Sequence, residues 1–331
     1  MKNLPFCVTS NFRMNSRKRT FILILTTFFL LFLIQFLYCI RSSHLKNNEF
    51  PHQKKKKFVN SLTKAVVHPL VTPISDFTLS NTTSFVIIIQ THNRPGYLSE
   101  VIKSLQKVEN ISQSLLIFSQ DYLDSAIDEL IGKINFTQHL QVFYPYRIQA
   151  YSNEYPGLSP QDCTNQNIFN NCKNEKWKDT YGSFRVPNSS QIKLHWLWKI
   201  QFVLNNIPQL NSFPGPYLLL EDDHLVTKDI LYVINKIPDV RNGLHMVSVG
   251  SHSNIITYDN VIYPSASWQF NMGMLLNRAI WKKISECIPI HFCNYDDYNW
   301  DFSLRNLMEK CLGEVKIYSL YKSSRVFHIG S

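Results

Sequence analysis

The chain has 331 residues, 34 Lys and Arg against 24 Asp and Glu, and a formal charge of +10. Eleven of the basic residues and a single acid, Glu49, precede residue 58, so the whole excess lies there and the other 274 residues are neutral. A nucleic-acid groove needs its charge on the folded domain, so that class is disfavoured; 44% hydrophobic residues and only 10 Gly exclude disorder and collagen.

Phe21 to Ile40 is 20 residues without a charge. As a helix it would span roughly 30 Å of hydrocarbon. No small-x-small exit follows at Tyr38-Cys39-Ile40-Arg41, so it reads as an uncleaved signal anchor rather than a cleaved signal or a core helix. Arg13, Arg17, Lys18 and Arg19 favour a cytoplasmic N-terminus, although Arg41 and Lys54 to Lys57 lie on the far side. The Lys54 run is read as a solvated cluster in a stem, with a lipid-headgroup role as the alternative. The expected organisation is a tail over 1–20, an anchor over 21–40, a polar stem over 41–83 and a folded domain over 84–331.

Ser84 to Gln90, SFVIIIQ, is a continuous β-branched run of the kind a buried parallel strand shows. His92-Asn93-Arg94-Pro95-Gly96 breaks it, and Tyr97 to Val108 follows with helical spacing. Ser114 to Ser119 reads as a strand, Leu123 to Ile131 as a helix and Leu140 to Tyr144 as a strand. This alternation predicts an α/β fold with a mostly parallel sheet. The polar stretch Tyr151 to Asn188 reads as a long loop, Gln191 to Leu204 as a helix, and Tyr217 to Leu220 as a short strand. Ligands in open α/β sheets sit beyond the carboxyl ends of strands, so the loops after Gln90, Ser119 and Leu220 should share one site.

Five cysteines follow the anchor: Cys163, Cys172, Cys287, Cys293 and Cys311. None forms a CxxC pair, which disfavours a zinc ribbon. In an oxidising compartment they would pair and leave one over. Asn81, Asn110, Asn135 and Asn188 are glycosylation sequons, in a number that chance also supplies.

Glu221-Asp222-Asp223 ends an apolar strand, and adjacent carboxylates repel unless something holds them together. A divalent cation of the Mn²⁺ or Mg²⁺ kind would, with a nucleotide diphosphate completing its shell. An acidic surface turn, or Asp223 capping a helix near Thr227, is the plainer reading. There is no P-loop and no GxGxxG fingerprint. In Tyr295-Asp296-Asp297-Tyr298-Asn299-Trp300-Asp301, Asp297 and Asp301 share a helix face. One could serve as a base on a sugar hydroxyl, while Asp296 and Asp297 could equally be caps. His328 follows the strand-like Val315 to Leu320; on spacing alone it is an ordinary packed or surface histidine.

The segments QTHNRPGYL (Gln90 to Leu98), LLIFSQD (Leu115 to Asp121), QVFYPYRIQAYSNEYPG (Gln141 to Gly157), HWLWK (His195 to Lys199), LLLEDDH (Leu218 to His224), FNMGM (Phe270 to Met274), CNYDDYNWDFSL (Cys293 to Leu304) and RVFHIG (Arg325 to Gly330) occur in this order. Together they resemble the N-acetylglucosaminyltransferase II family of Golgi glycosyltransferases over about Ser84 to Ser331. The resemblance implies a GT-A type fold, UDP-GlcNAc as donor and Mn²⁺ as cofactor. It implies transfer in β1,2 linkage, with inversion, to the α1,6-arm mannose of an N-glycan on a glycoprotein. The location implied is the Golgi membrane, as a single-pass type II protein with a lumenal catalytic domain; a homodimer is left open. By the family pattern Asp223 and His328 bind the metal and Asp301 is the base. Gln90, Thr91, His92, Asn93, Arg94 and Asp121, with Gln191, Lys193 and His195, fall in donor-binding segments. Cys163–Cys172 and Cys287–Cys311 should be disulfides.

There are departures. The usual motif reads EED where this chain has EDD, and Thr91, Ile192 and Leu194 replace other residues. The stretch after Gly250 lacks a basic residue. The chain stops soon after His328, where relatives continue with more cysteines, so Cys293 would have lost its partner and the C-terminus is expected to be incomplete. The rival readings are a transferase with the type I acceptor, and an inactive glycan-binding protein.

Overall fold

The computed structural model describes residues 77–331 except 153–154, 239, 242, 244, 252–262, 265–270, 294, 296–299, 313–315, 321–322 and 331. The expected tail and anchor, and the stem up to residue 76, lie outside the described residues, as do Asp296 and Asp297. Among the described residues no helix is long and apolar enough to cross a membrane.

The elements in chain order are β1 (Phe85–Thr91), α1 (Pro95–Gln106), β2 (Ser114–Gln120), α2 (Ser125–Gly132), β3 (Gln138–Phe143), α3 (Ile148–Tyr151), α4 (Pro187–Asn206), β4 (Tyr217–Glu221) and β5 (His224–Val226). Then come α5 (Ile230–Lys236), β6 (His245–Ser248), β7 (Tyr263–Pro264), β8 (Met274–Leu276), α6 (Arg278–His291), α7 (Trp300–Cys311), β9 (Lys316–Ser319) and β10 (Val326–His328). The main sheet has the order β3-β2-β1-β4-β8-β6-β9-β7, and β5 pairs with β10 in a separate two-stranded sheet. The pairs β1–β2, β1–β4, β2–β3 and β6–β9 are parallel; those of β8 with β4 and β6, and of β7 with β9, are antiparallel. The mostly parallel α/β sheet expected from the sequence is present.

β1 is buried along its whole length because both faces are covered. Side chains of a strand alternate between faces. Phe85, Ile87 and Ile89 therefore pack with Leu98, Val101 and Leu105 of α1 and with α2 and α5. Val86 and Ile88 pack on the opposite face with Trp196, Ile200 and Val203 of α4 and with α6 and α7. Phe77 joins this second core, and its carbonyl accepts from Gln209 Nε2 at 2.8 Å, so packing begins before residue 84.

The stretch from Tyr151 to Asn188 is mostly irregular, though α4 already starts at Pro187. The Cys163–Cys172 disulfide closes it locally, and the Asn174 side chain accepts from Cys163 N (2.9 Å) and donates to Cys163 O (2.8 Å). A Cys287–Cys311 disulfide ties α6 to α7. The other four cysteines after the expected anchor pair with one another, and the expectation for Cys293 turns on residues outside those described.

The first turn of α7 is set by aromatic packing. Trp300 stacks on Trp196 with ring centroids 4.5 Å apart and planes 9° apart, and Phe292 also stacks on Trp196 at 5.7 Å. We expect Trp300→Ala to lower unfolding stability by about 3–5 kcal/mol, through lost burial and the cavity left behind. Urea titration by fluorescence checks this; a loss well under 1 kcal/mol would show that the stack is not what holds α7.

Candidate active site

Parallel pairing places three strand ends level with one another. Gln90 stands opposite Ser119 on one side and Glu221 on the other. The loops that leave these strands join through hydrogen bonds. His92 N donates to Asp222 Oδ2 (2.8 Å), and His92 Nδ1 lies 2.6 Å from Asp121 Oδ1. Arg94 donates from Nη1 to Asp223 Oδ2 (2.6 Å) and from Nη2 to Asp222 Oδ1. The three loops thus share one site, as expected from the strand order.

α4 supplies the floor. Gln191, His195 and Lys199 recur every fourth residue, so they lie on one helix face, and all three are buried. His195 Nδ1 reaches Asp121 Oδ2 at 3.1 Å, and Ser119 Oγ lies 2.8 Å from His195 Nε2. A carboxylate only accepts, so both His92 and His195 donate to Asp121 from Nδ1. Burial alone would raise the Asp121 carboxyl, but His195 and then His92 hold it below the usual carboxylate range. Burial lowers His195 and keeps it neutral, so Nε2 is free to accept from the Ser119 hydroxyl. For His92 burial acts downward, yet the Asp121 contact raises it.

Lys199 was assigned no role from the sequence. It is 1% exposed and donates from Nζ to Gln90 Oε1 at 2.6 Å. Burial brings it down to about 7 against the attraction of Glu221, Asp121 and Asp222. The only signal available was its spacing of four from His195.

The acidic end of β4 is as crowded as the sequence implied. Burial raises Glu221, and pushes Asp222 up to about 6 against the opposing pull of Arg94. Asp223 does not cap a helix: it sits in the turn between β4 and β5, while α5 starts at Ile230. Its Oδ2 lies 3.3 Å from His328 Nε2, and its Oδ1 is buried without a hydrogen-bond partner. His328 arrives because β10 pairs with β5, opposite His224. The bare Cα of Gly330 packs here; a Cβ on it would lie 2.3 Å from Asp223 Oδ2.

These residues fit a divalent cation. An orphaned buried carboxylate oxygen, a neighbouring imidazole and a glycine cradle are what a small oxygen-seeking ion uses. One ligand atom each from Glu221, Asp223 and His224 also lies within 4.8 Å of the others. His224 suits the role less well. Its Nδ1 faces the Glu221 backbone N–H at 3.1 Å, so it must accept, and the neutral ring then carries its proton on Nε2. Burial lowers His224 to about 3, which keeps it neutral. His328 is the better partner for Asp223.

Asp301 opens α7 beside this cluster. Its Oδ1 accepts from Phe302 N at 2.8 Å and its Oδ2 from Asn271 Nδ2 at 3.1 Å. Burial raises it, the Phe302 N–H opposes that, and the Glu221 charge raises it further. Asn271 was not singled out from the sequence.

The other candidates stand as follows. Asn93 is exposed at the loop tip. Thr91 is fully buried, and its hydroxyl donates to Ser119 O at 3.1 Å, so its side chain is turned into the sheet. Gln191 accepts from Ile148 N. Lys193 departs from the face of Gln191 and His195: its Nζ donates to Cys293 O at 3.4 Å and lies 5.2 Å from the Phe292 ring centroid.

Residues 55–331 match the family model described as N-acetylglucosaminyltransferase II. The chain is 36% identical over 259 residues to the alpha-1,6-mannosyl-glycoprotein 2-beta-N-acetylglucosaminyltransferases of Mus musculus and Homo sapiens. Each match covers 74% of this chain and 58% of the relative. The Arabidopsis thaliana protein of the same name is 30% identical over 228 residues, covering 66% of this chain and 52% of its own. The chain thus spans less than two thirds of the length of these curated relatives. Among solved structures, Staphylococcus aureus TarS 1-349 is similar at a TM-score of 0.40 and 11% identity, over 74% of this chain and 60% of that one.

Unfolding would return Asp121 to its ordinary pKa, so the unfolded chain binds the proton first as pH falls. The stabilisation is therefore complete above the ordinary carboxylate pKa and fades as pH drops through it. Asp121→Asn should cost about 3 kcal/mol or more at neutral pH and flatten the acid-side decline. Urea titrations at neutral pH and near pH 4 check both; a mutant as stable as the parent at neutral pH would count against the paired-histidine account.

Proposed function

Because the chain belongs to the N-acetylglucosaminyltransferase II family, we propose that it transfers GlcNAc from UDP-GlcNAc in β1,2 linkage to the α1,6-arm mannose of N-glycans. The observation that supports this best is the meeting of two functions at one sheet edge. Asp223 and His328 form a cation-ready pair, and Asp301 stands beside the same acidic strand end in a setting that raises its pKa. The reading carries with it a GT-A type fold and a lumenal, membrane-anchored location in the Golgi. The disulfides support an oxidising compartment.

Inversion at the anomeric carbon needs a single displacement, hence one base and no covalent nucleophile. Asp301 takes the proton of the mannose 2-hydroxyl as that oxygen bonds to C1 of GlcNAc, and the bond from C1 to the UDP oxygen breaks. Asn271 and the Phe302 N–H orient its carboxylate. A raised pKa makes the carboxylate a stronger base than an ordinary Asp. Asp223 and His328 would hold Mn²⁺, which when bound stabilises charge developing on the UDP leaving group. On the donor side, His92 and Arg94 stand on the loop after β1, and Asp121 and His195 fix the His92 ring.

UDP release from UDP-GlcNAc on adding a defined acceptor glycan with Mn²⁺ tests the reaction. Asp301→Asn should lower turnover by about 10²-fold or more, as loss of a general base does, with UDP binding unchanged. Near-parental turnover would remove the base assignment. Asp223→Ala should weaken Mn²⁺-dependent UDP binding, measured by calorimetry; unaltered metal dependence would remove the ligand assignment.

A further inference from the structure

Arg94 does more in this structure than line a nucleotide loop. Its guanidinium grips both carboxylates of the pair, Asp222 from Nη2 and Asp223 Oδ2 from Nη1 at 2.6 Å. The two acids are almost fully buried, while the arginine side chain is 36% exposed and its guanidinium carbon lies 5.6 Å from the Tyr97 ring centroid. One end of the contact is therefore rigid and the other can reach solvent.

Asp223 Oδ2 has little freedom. His328 Nε2 stands 3.3 Å from it, and the Gly330 Cα closes another side. A cation held by Asp223 and His328 together would lie against Oδ2, since that is the oxygen facing His328 Nε2 and also the one Arg94 holds. It would then share Oδ2 with the guanidinium, placing a double positive charge against a single one. Coulomb repulsion at such a separation disfavours joint occupancy of that oxygen. The second arm on Asp222, itself fixed by the His92 N–H at 2.8 Å, lets Arg94 release one carboxylate without leaving the site.

We propose that Arg94 and the divalent cation exchange on Asp223: the ion takes the carboxylate, and the released arm of Arg94 turns to the diphosphate that arrives with the donor. The guanidinium is thus a built-in counter-cation that holds the acid pair together and sets a threshold for the ion. Two parallel N–H groups match a phosphate as well as a carboxylate, so the same fork serves both partners. The proposal rests on the reading of Asp223 and His328 as the cation pair.

The test is the Mn²⁺ affinity of the full chain, measured by electron paramagnetic resonance of free Mn²⁺ with and without UDP. Without UDP, Arg94→Met should bind Mn²⁺ about 10-fold tighter than the parent, because the guanidinium charge that competes for Asp223 is gone. With UDP the parent should gain more Mn²⁺ affinity than Arg94→Met, because the diphosphate then meets a guanidinium only in the parent. Arg94→Lys covers the case in which the methionine variant does not fold. It reaches one carboxylate instead of two, so a gain of about threefold is expected. Equal or weaker Mn²⁺ binding by Arg94→Met, or no gain by Arg94→Lys if that variant alone folds, overturns the exchange. Asp223→Asn separates the two ideas. If it abolishes binding while the Arg94 variants change nothing, the cation pair stands and the exchange fails. If it leaves binding intact, or the parent and every variant fail to bind, both fail.

Discussion

The constraint that shapes this molecule is the repulsion among carboxylates gathered at the end of a buried sheet. Glu221, Asp222 and Asp223 are consecutive, and Asp121 and Asp301 face the same edge. Such a cluster is tolerable only if positive groups and donors surround it. The chain supplies them from every side: Arg94 from the loop after β1, Lys199 from inside α4, His92 and His195 around Asp121, and His328 from β10. Much of the architecture that is otherwise hard to account for, a fully buried lysine and a glycine pressed on a carboxylate among them, follows from that need.

Neutralisation is uneven, and the unevenness is informative. Asp121 is saturated by two imidazoles and held low, so its work is structural. Asp223 keeps one oxygen without a partner, and Asp301 is raised rather than lowered. Groups left incompletely compensated in an otherwise satisfied network are where ligands and chemistry belong.

The sheet core was legible because its strands are buried on both faces. The run SFVIIIQ could hardly be anything but an inner strand, and the alternation of strands and helices carried the fold class. β5 and β10 were not legible: three residues each hold no periodicity to read. Sequence spacing marks α4 only from Gln191 to Leu204, missing four residues at its start and two at its end, because Asn188-Ser189-Ser190 and Asn205-Asn206 carry no apolar side chain to extend the pattern. The pairing of Arg94 with Asp222 and Asp223 joins positions 128 and 129 residues apart, which no local spacing reports. Resemblance placed Asp301 and His328 in roles that spacing alone left open, and the packing of Trp300 on Trp196 explains why Asp301 is held so firmly.

The two-stranded ribbon of β5 and β10 has a consequence of its own. Asp223 is anchored to the large sheet through β4, whereas His328 ends a three-residue strand that pairs with β5 and touches the large sheet through the Gly250–Val326 bridge. A strand held by so few pairings opens locally more readily than a sheet core. Anything that binds both side chains at once must therefore also fasten the ribbon. For any ligand shared by these two side chains, binding and the closure of this strand would be a single linked equilibrium.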